Sequence, residues 1–291
     1  MGGWTIGIIG GSGLYALDGL AETAWHAVET PWGPPSDRIL EARIGTTRLL
    51  FLPRHGAGHR IPPSEINARA NIDALKRLGA TDLLAISSVG SLREELPPGI
   101  FAVVDQFIDR TVARPASFFG TGLVAHVSLA DPTCPRLSAF AAAAIEAAGG
   151  TAATGATYLA MEGPQFSTRA ESELYRSWGC SVIGMTNMPE AKLAREAELC
   201  YATVAMVTDY DCWREGHDAV TVDAVVKVLL ENADRARALV RSVIPALGGH
   251  RGPCHAGCDH ALDHALITAP AARDPAVMAK LDAVAGRVLR S

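Results

Sequence analysis

The sequence predicts an α/β protein built on one mixed central sheet with helices packed around it. Two observations carry this. Short apolar runs alternate with longer stretches of helical periodicity along the whole chain. The 291 residues are 48% hydrophobic and 20% charged, a composition that can bury a large core and is not that of a disordered chain. No repeat, low-complexity segment or linker interrupts the pattern, so residues 1–291 read as one domain with a C-terminal helical extension from about 250.

The elements follow in order. Strands are expected over 4–10, 39–44, 47–52, 82–88, 101–105, 156–161, 181–184 and 201–207, all short apolar runs bounded by turn residues. Helices are expected over 64–79, 135–148, 168–178, 188–198, 220–245 and 274–289. Ser64 is positioned to cap the first of these and Gly79 to end it. Pro135 opens the second within its first turn, and Gly149-Gly150 closes it. In the helix from 220, Val222, Val225, Val226, Leu229 and Leu230 recur at helical spacing and form its apolar face.

Composition also excludes functions. A formal net charge of −5 gives no bulk basic field for nucleic acid. No apolar run approaches the roughly 20 residues of a membrane span. Met1-Gly2-Gly3-Trp4 enters a strand without the charged region of a secretory signal, so a cytoplasmic protein is expected. Six cysteines in a chain of this length do not make a disulfide scaffold. Cys134, Cys180, Cys200 and Cys212 lie apart among apolar neighbours and read as reduced core or near-core thiols. Cys254, His255, Cys258, His260 and His264 crowd the tail, but their spacing fits no standard finger, and no metal or cofactor is expected.

Three segments carry chemistry. Asp209 and Asp211 follow the apolar run Tyr201 to Val207, at the carboxyl end of a strand, where open α/β sheets bind ligands. Strand alternation would turn both carboxyls to one side. A protonated carboxyl donates to a ring nitrogen and an ionised one accepts from an exocyclic amine, which together recognise a 6-aminopurine. Pro53-Arg54-His55-Gly56-Ala57-Gly58-His59-Arg60 also follows a strand. Its guanidinium forks suit phosphate, and its glycines let backbone N–H groups approach an anion. The turn Gly10-Gly11-Ser12-Gly13 departs from the dinucleotide fingerprint and fits an anion-binding turn with a Ser12 hydroxyl better.

These segments, with Gly90-Ser91-Leu92-Arg93-Glu94-Glu95, Asp105 to Thr111, Met161 to Ser172 and Gly184 to Glu190, occur in an order that resembles the purine nucleoside phosphorylase superfamily. The resemblance runs from about Thr5 to Pro245 and is strongest to its methylthioadenosine-cleaving branch. It implies reversible phosphorolysis of S-methyl-5'-thioadenosine to adenine and 5-methylthioribose 1-phosphate, with inorganic phosphate as co-substrate. Phosphate would be held by Ser12, Arg54, His55, Ser87, Ser88 and Thr186. The ribose would meet Met185. The purine would meet Phe166, Ser167, Asp209 and Asp211, with Asp209 as the acid at the ring. The 5' substituent would meet His59, Val222 and Val225, with His126 reaching in from a neighbouring subunit of a homotrimer. Ser12 stands where many relatives carry Thr, and Ser87-Ser88-Val89 where close relatives carry Thr-Ala-Cys. Phosphorolysis of 6-oxopurine nucleosides or methylthioinosine is the nearest alternative, which an amide rather than Asp209 and Asp211 would favour.

Overall fold

The structure, a computed structural model, describes residues 3–11, 20–214 and 222–290; for 222–233 it describes the backbone alone. Nine strands form one mixed sheet: β1 (Thr5–Gly10), β2 (Ala21–His26), β3 (Ile39–Ile44), β4 (Thr47–Pro53), β5 (Asp82–Ser91), β6 (Phe101–Arg110), β7 (Ala152–Met161), β8 (Val182–Gly184) and β9 (Cys200–Asp209). Their order is β2-β3-β4-β1-β5-β8-β7-β6-β9, and β9 also pairs with β5, so the last five strands close on themselves. β1 runs parallel to both β4 and β5, and β5 runs parallel to β9. The carboxyl ends of these four strands therefore open on the same edge.

Both faces of the sheet are buried, and alternation sorts its side chains between two cores. Ile9, Leu50, Leu52, Leu83 and Ala85 face one core. Ile6, Ile8, Leu49, Phe51, Leu84 and Ile86 face the other. The first is covered by α1 (Ala68–Arg77) and α4 (Asn187–Glu196), the second by α2 (Pro135–Ala147) and α5 (Val222–Leu247). A short helix, α3 (Arg169–Ser177), opens on a capping box in which Thr168 and Glu171 satisfy each other's backbone N–H.

The mixed-sheet class and most elements match the sequence expectation; the differences have identifiable causes. β2 has no apolar signal because five of its six residues are exposed on the sheet edge. The first helix starts at Ala68, not 64, because Asn67 and not Ser64 supplies the cap: its side chain accepts from the Ala70 N–H at 3.1 Å. Ser64 lies in a single 3-10 turn, Pro63–Glu65. The expected helix over 274–289 is two short ones, α6 (Pro275–Lys280) and α7 (Gly286–Leu289). Between them the chain turns so that Leu281, Val284 and Ala285 enter the first core. The tail is thus largely turns, not a helical extension. Among the described helices none is long and apolar enough to cross a membrane.

Candidate active site

The four carboxyl ends and the β8–α4 connection build one continuous site along the last turns of β5. Arg54 follows β4 directly and is 2% exposed. Its guanidinium is bidentate to Glu190, with Nε and Nη2 donating at 2.8 and 3.0 Å, and Nη1 donates to the Ile86 carbonyl at 3.1 Å. The fork expected to grip phosphate is therefore engaged by a carboxylate. The Tyr201 hydroxyl donates to the same Glu190 at 2.9 Å and accepts from Asn187 Nδ2 at 2.8 Å. Ser87 Oγ donates to Asn187 Oδ1 at 3.0 Å. Arg54, Glu190, Tyr201, Asn187 and Ser87 form one buried polar chain beneath the site, in which each group satisfies the next.

Above this chain lie the expected phosphate groups. Ser88 is partly exposed on β5 beside Ser87. Thr186 precedes α4, and its Oγ1 is buried without a hydrogen-bond partner, a cost that a bound acceptor would remove. Its N–H meets the Tyr158 hydroxyl at 3.4 Å. Gly184 makes this possible: a Cβ there would lie 2.0 Å from the Tyr158 oxygen. His55 holds the Ile61 carbonyl through Nδ1 at 2.8 Å. A carbonyl only accepts, so Nδ1 carries the hydrogen and Nε2 is left as an acceptor. Burial, which outweighs the Ile61 bond, pushes the His55 imidazolium down to about 4, with His59 and Arg54 adding repulsion. The exposed His59 ring stacks on His55 with centroids 4.1 Å apart. Ser12 lies outside the described residues.

The acid pair sits three residues further along β5. A Cβ on Gly90 would meet Asp209 Oδ1 at 2.9 Å and Asp211 Cβ at 3.2 Å, so both acids converge over this glycine. The means differs from the expected alternation. β9 ends at Asp209, and Asp211 adopts a left-handed backbone with φ 51°, its N–H donating to Asp209 Oδ1 at 2.8 Å. A tight turn, not a strand, aligns them. Asp209 Oδ2 accepts from Thr208 Oγ1 at 2.6 Å. Burial raises both carboxyls above the usual range and outweighs these bonds. Cys212 is a partly buried thiol whose Sγ donates to the Ser167 carbonyl at 3.3 Å and ties the acid turn to the loop carrying Ser167 and the half-exposed Phe166.

Met185 lies between the two ends. Its sulfur would be 2.5 Å from a Cβ on Gly163, so the two loops touch. Arg114, which the sequence reading passed over, holds this region. It donates to the carbonyls of Met185 at 2.6 Å, Met188 at 2.8 Å and Glu162 at 2.6 Å, and to Glu162 Oε1 at 2.9 Å. No motif flagged Arg114, because its partners come from distant segments. Glu190, Asn187, Tyr158 and Tyr201 were missed for the same reason. Val222 and Val225 begin α5, but their side chains lie outside the described residues. His126 is exposed, with its N–H on the Ala265 carbonyl at 2.9 Å.

An anion end with hydroxyls and a neutral imidazole, a carboxyl end three residues away, and an open strand edge between them define a nucleoside- and phosphate-binding α/β protein. The chain belongs to the phosphorylase superfamily, whose family model matches residues 5–245. It is 64% identical to S-methyl-5'-thioadenosine phosphorylase of Cereibacter sphaeroides, over 98% of both chains. Among solved structures it resembles a methylthioadenosine phosphorylase from an Antarctic soil metagenomic library, with 44% identity, TM-score 0.92, and 98% and 99% of the two chains covered. It also resembles methylthioadenosine phosphorylase of Schistosoma mansoni in complex with adenine, with 36% identity, TM-score 0.79, and 85% and 93% covered.

Proposed function

We propose that the protein catalyses reversible phosphorolysis of S-methyl-5'-thioadenosine, releasing adenine and 5-methylthioribose 1-phosphate in methionine and purine salvage. The observation that carries this is the spacing along β5. Ser87 and Gly90 are three residues apart, a span of roughly 10 Å at strand rise. That is the reach from an anion beside an anomeric carbon, across the ribose, to the far edge of a purine. The names of the relatives point to the same substrate.

In this reading phosphate lies against Ser12, Ser87, Ser88, Thr186 and His55. Arg54 contributes less as a fork than as the buried cation that fixes Glu190 and the strand end. His55 Nε2 accepts a hydrogen bond from the P–OH of a hydrogenphosphate. As the glycosidic bond breaks, positive charge grows on the ribose beside the bound anion, which lowers the barrier by charge and by proximity. The leaving purine gains electron density, and Asp209, whose carboxyl burial pushes above the usual range, donates its proton to the ring nitrogen. Asp211 accepts from the exocyclic amine. Phe166 covers the base, Ser167 borders it and Met185 meets the sugar. His59, Val222 and Val225 surround the methylthio group. The protein acts as a cytoplasmic homotrimer that needs no cofactor for this reaction, with His126 of a neighbouring copy completing the 5' pocket.

Base release measured with and without phosphate, adenine from methylthioadenosine and adenosine and hypoxanthine from methylthioinosine, tests this. The expected result is strict phosphate dependence and the highest kcat/KM on methylthioadenosine. Phosphate-independent release, or a preference for methylthioinosine, would overturn it.

A further inference from the structure

At the opposite end of the sheet, far from the acids, four cysteines from three separate segments meet. Cys134 is the residue before α2, Cys200 begins β9, and Cys254 and Cys258 flank a tight turn in the tail. That turn is closed by the Gly257 N–H on the Cys254 carbonyl at 2.9 Å, with Gly257 at φ 68°. All four are buried, at 0%, 0%, 6% and 1% exposure. Their sulfurs all lie within 4.8 Å of one another, and Cys134 and Cys254 are 3.6 Å apart. Cys134 and Cys200 are buried free thiols, as expected, but they do not lie apart: they meet each other and the tail pair. The tail histidines that made the sequence look metal-like, His255, His260 and His264, are instead exposed.

The geometry fits a tetrahedral thiolate cage. Zinc–sulfur bonds of about 2.3 Å set the sulfurs of a tetrahedron about 3.8 Å apart. A disulfide draws two sulfurs to about 2.05 Å and leaves the other pair unrelated, whereas here all four are mutual neighbours. The surroundings are those of thiolate and not of apolar thiol. Arg136 Nη2 and Arg251 Nη2 each point a donor at Cys200 Sγ at 3.5 Å. Asp82, the first residue of β5, orients both, at 3.1 and 2.7 Å. Asp259, the residue after Cys258, accepts from the Cys254 N–H at 3.0 Å and from Arg251 at 3.1 Å. Cys134 also sits at the positive end of a 13-residue helix, which favours a sulfur anion. Such outer donors are what tune and orient metal-bound sulfur.

We propose that Cys134, Cys200, Cys254 and Cys258 form a closed four-thiolate site for one structural zinc ion, which fastens the tail to the amino-terminal end of the sheet. With four protein ligands, no coordination position remains for substrate. The site also lies a ten-residue strand away from Asp209, so it serves stability and not catalysis.

The test uses the full chain, purified without chelator or immobilised metal, with metal content read by mass spectrometry. The expected result is about one zinc per chain, and intense visible bands of tetrahedral thiolate coordination when cobalt replaces it. The double variant Cys254→Ser, Cys258→Ser should lose the metal and melt at lower temperature. It should keep its rate of phosphate-dependent adenine release at 25 °C within about twofold, because the site is closed to substrate. Metal-free wild-type protein, with either two disulfides or four titratable thiols, would overturn the proposal. So would zinc retained by the double variant, or cobalt bands without sulfur character. Should the double variant fail to fold, wild-type metal content and the cobalt spectrum decide alone.

Discussion

At Asp209 burial outweighs the hydrogen bonds from Thr208 and the Asp211 backbone, so the carboxyl keeps its proton to higher pH than a free one. The sign for stability follows. A raised folded pKa favours the protonated form, so stability falls as pH rises through it. Asp209→Asn should therefore cut kcat/KM on methylthioadenosine by about 100-fold or more, as for loss of a general acid. Its melting temperature should equal or exceed wild type near neutrality. Wild-type kcat/KM in this variant would remove Asp209 from the purine site. His55 has the opposite slope. Its folded pKa lies near 4 against a usual 6.5, so stability is lost as pH falls across that window. His55→Gln should flatten the acid side of the stability profile, whose slope approaches about 1.4 kcal/mol per pH unit for one proton. Melting curves at pH 7, 6, 5 and 4 check this, and parallel curves for both proteins would contradict it.

Among the elements, α4 and β8 do the positioning. α4 brings Glu190 to Arg54 inside the protein, with side-chain exposures of 4% and 2%. Removing one partner of a buried pair leaves an uncompensated charge, at a cost of about 3–5 kcal/mol. Glu190→Gln should thus lower the melting temperature by roughly 10 °C in a chain of this size. It should also raise the phosphate KM, because the strand end carrying Ser87 is tied to the same chain of hydrogen bonds. An unchanged phosphate KM in a destabilised variant would confine Glu190 to the fold. On β8, Gly184→Ala pushes a methyl onto the Tyr158 hydroxyl. Overpacking of this kind costs about 1–3 kcal/mol. The displaced Tyr158 should release the Thr186 backbone, so phosphate affinity should fall more than nucleoside affinity. Equal losses on both ligands would mean a general disturbance instead.

For the whole molecule, the tail is part of the core and not an appendage. Leu262, Ala265, Leu281, Val284 and Ala285 belong to the same buried core as Ile9 and Leu50. A chain ending at residue 249 should be insoluble, since it exposes that face and loses burial worth about 1.5–3 kcal/mol for each large side chain. A soluble truncated protein melting within a few degrees of the full chain would disprove it. In solution the intact protein should run at three times the chain mass by light scattering. His126→Ala should lower kcat/KM on methylthioadenosine without dissociating it; a monomeric wild type would remove His126 from the site.

What the sequence determined by itself is whatever depends on local periodicity and contiguous chemistry. Alternating apolar strands and helical faces specify the layered class, and the Arg54-His55 loop and the Asp209–Asp211 turn stand out as short runs of functional groups. Tertiary structure decided what needs residues distant in the chain. It turned the Arg54 fork toward Glu190, 136 positions away, and brought Arg114 under Met185. It aligned the two acids by a left-handed turn at Asp211 that no alternation encodes. It split the last helix because burying Leu281 and Val284 outweighs one more helical turn. It also gathered Cys134, Cys200, Cys254 and Cys258, whose spacing along the chain carries no metal signature, since ligand geometry is set in space by where α2, β9 and the tail converge.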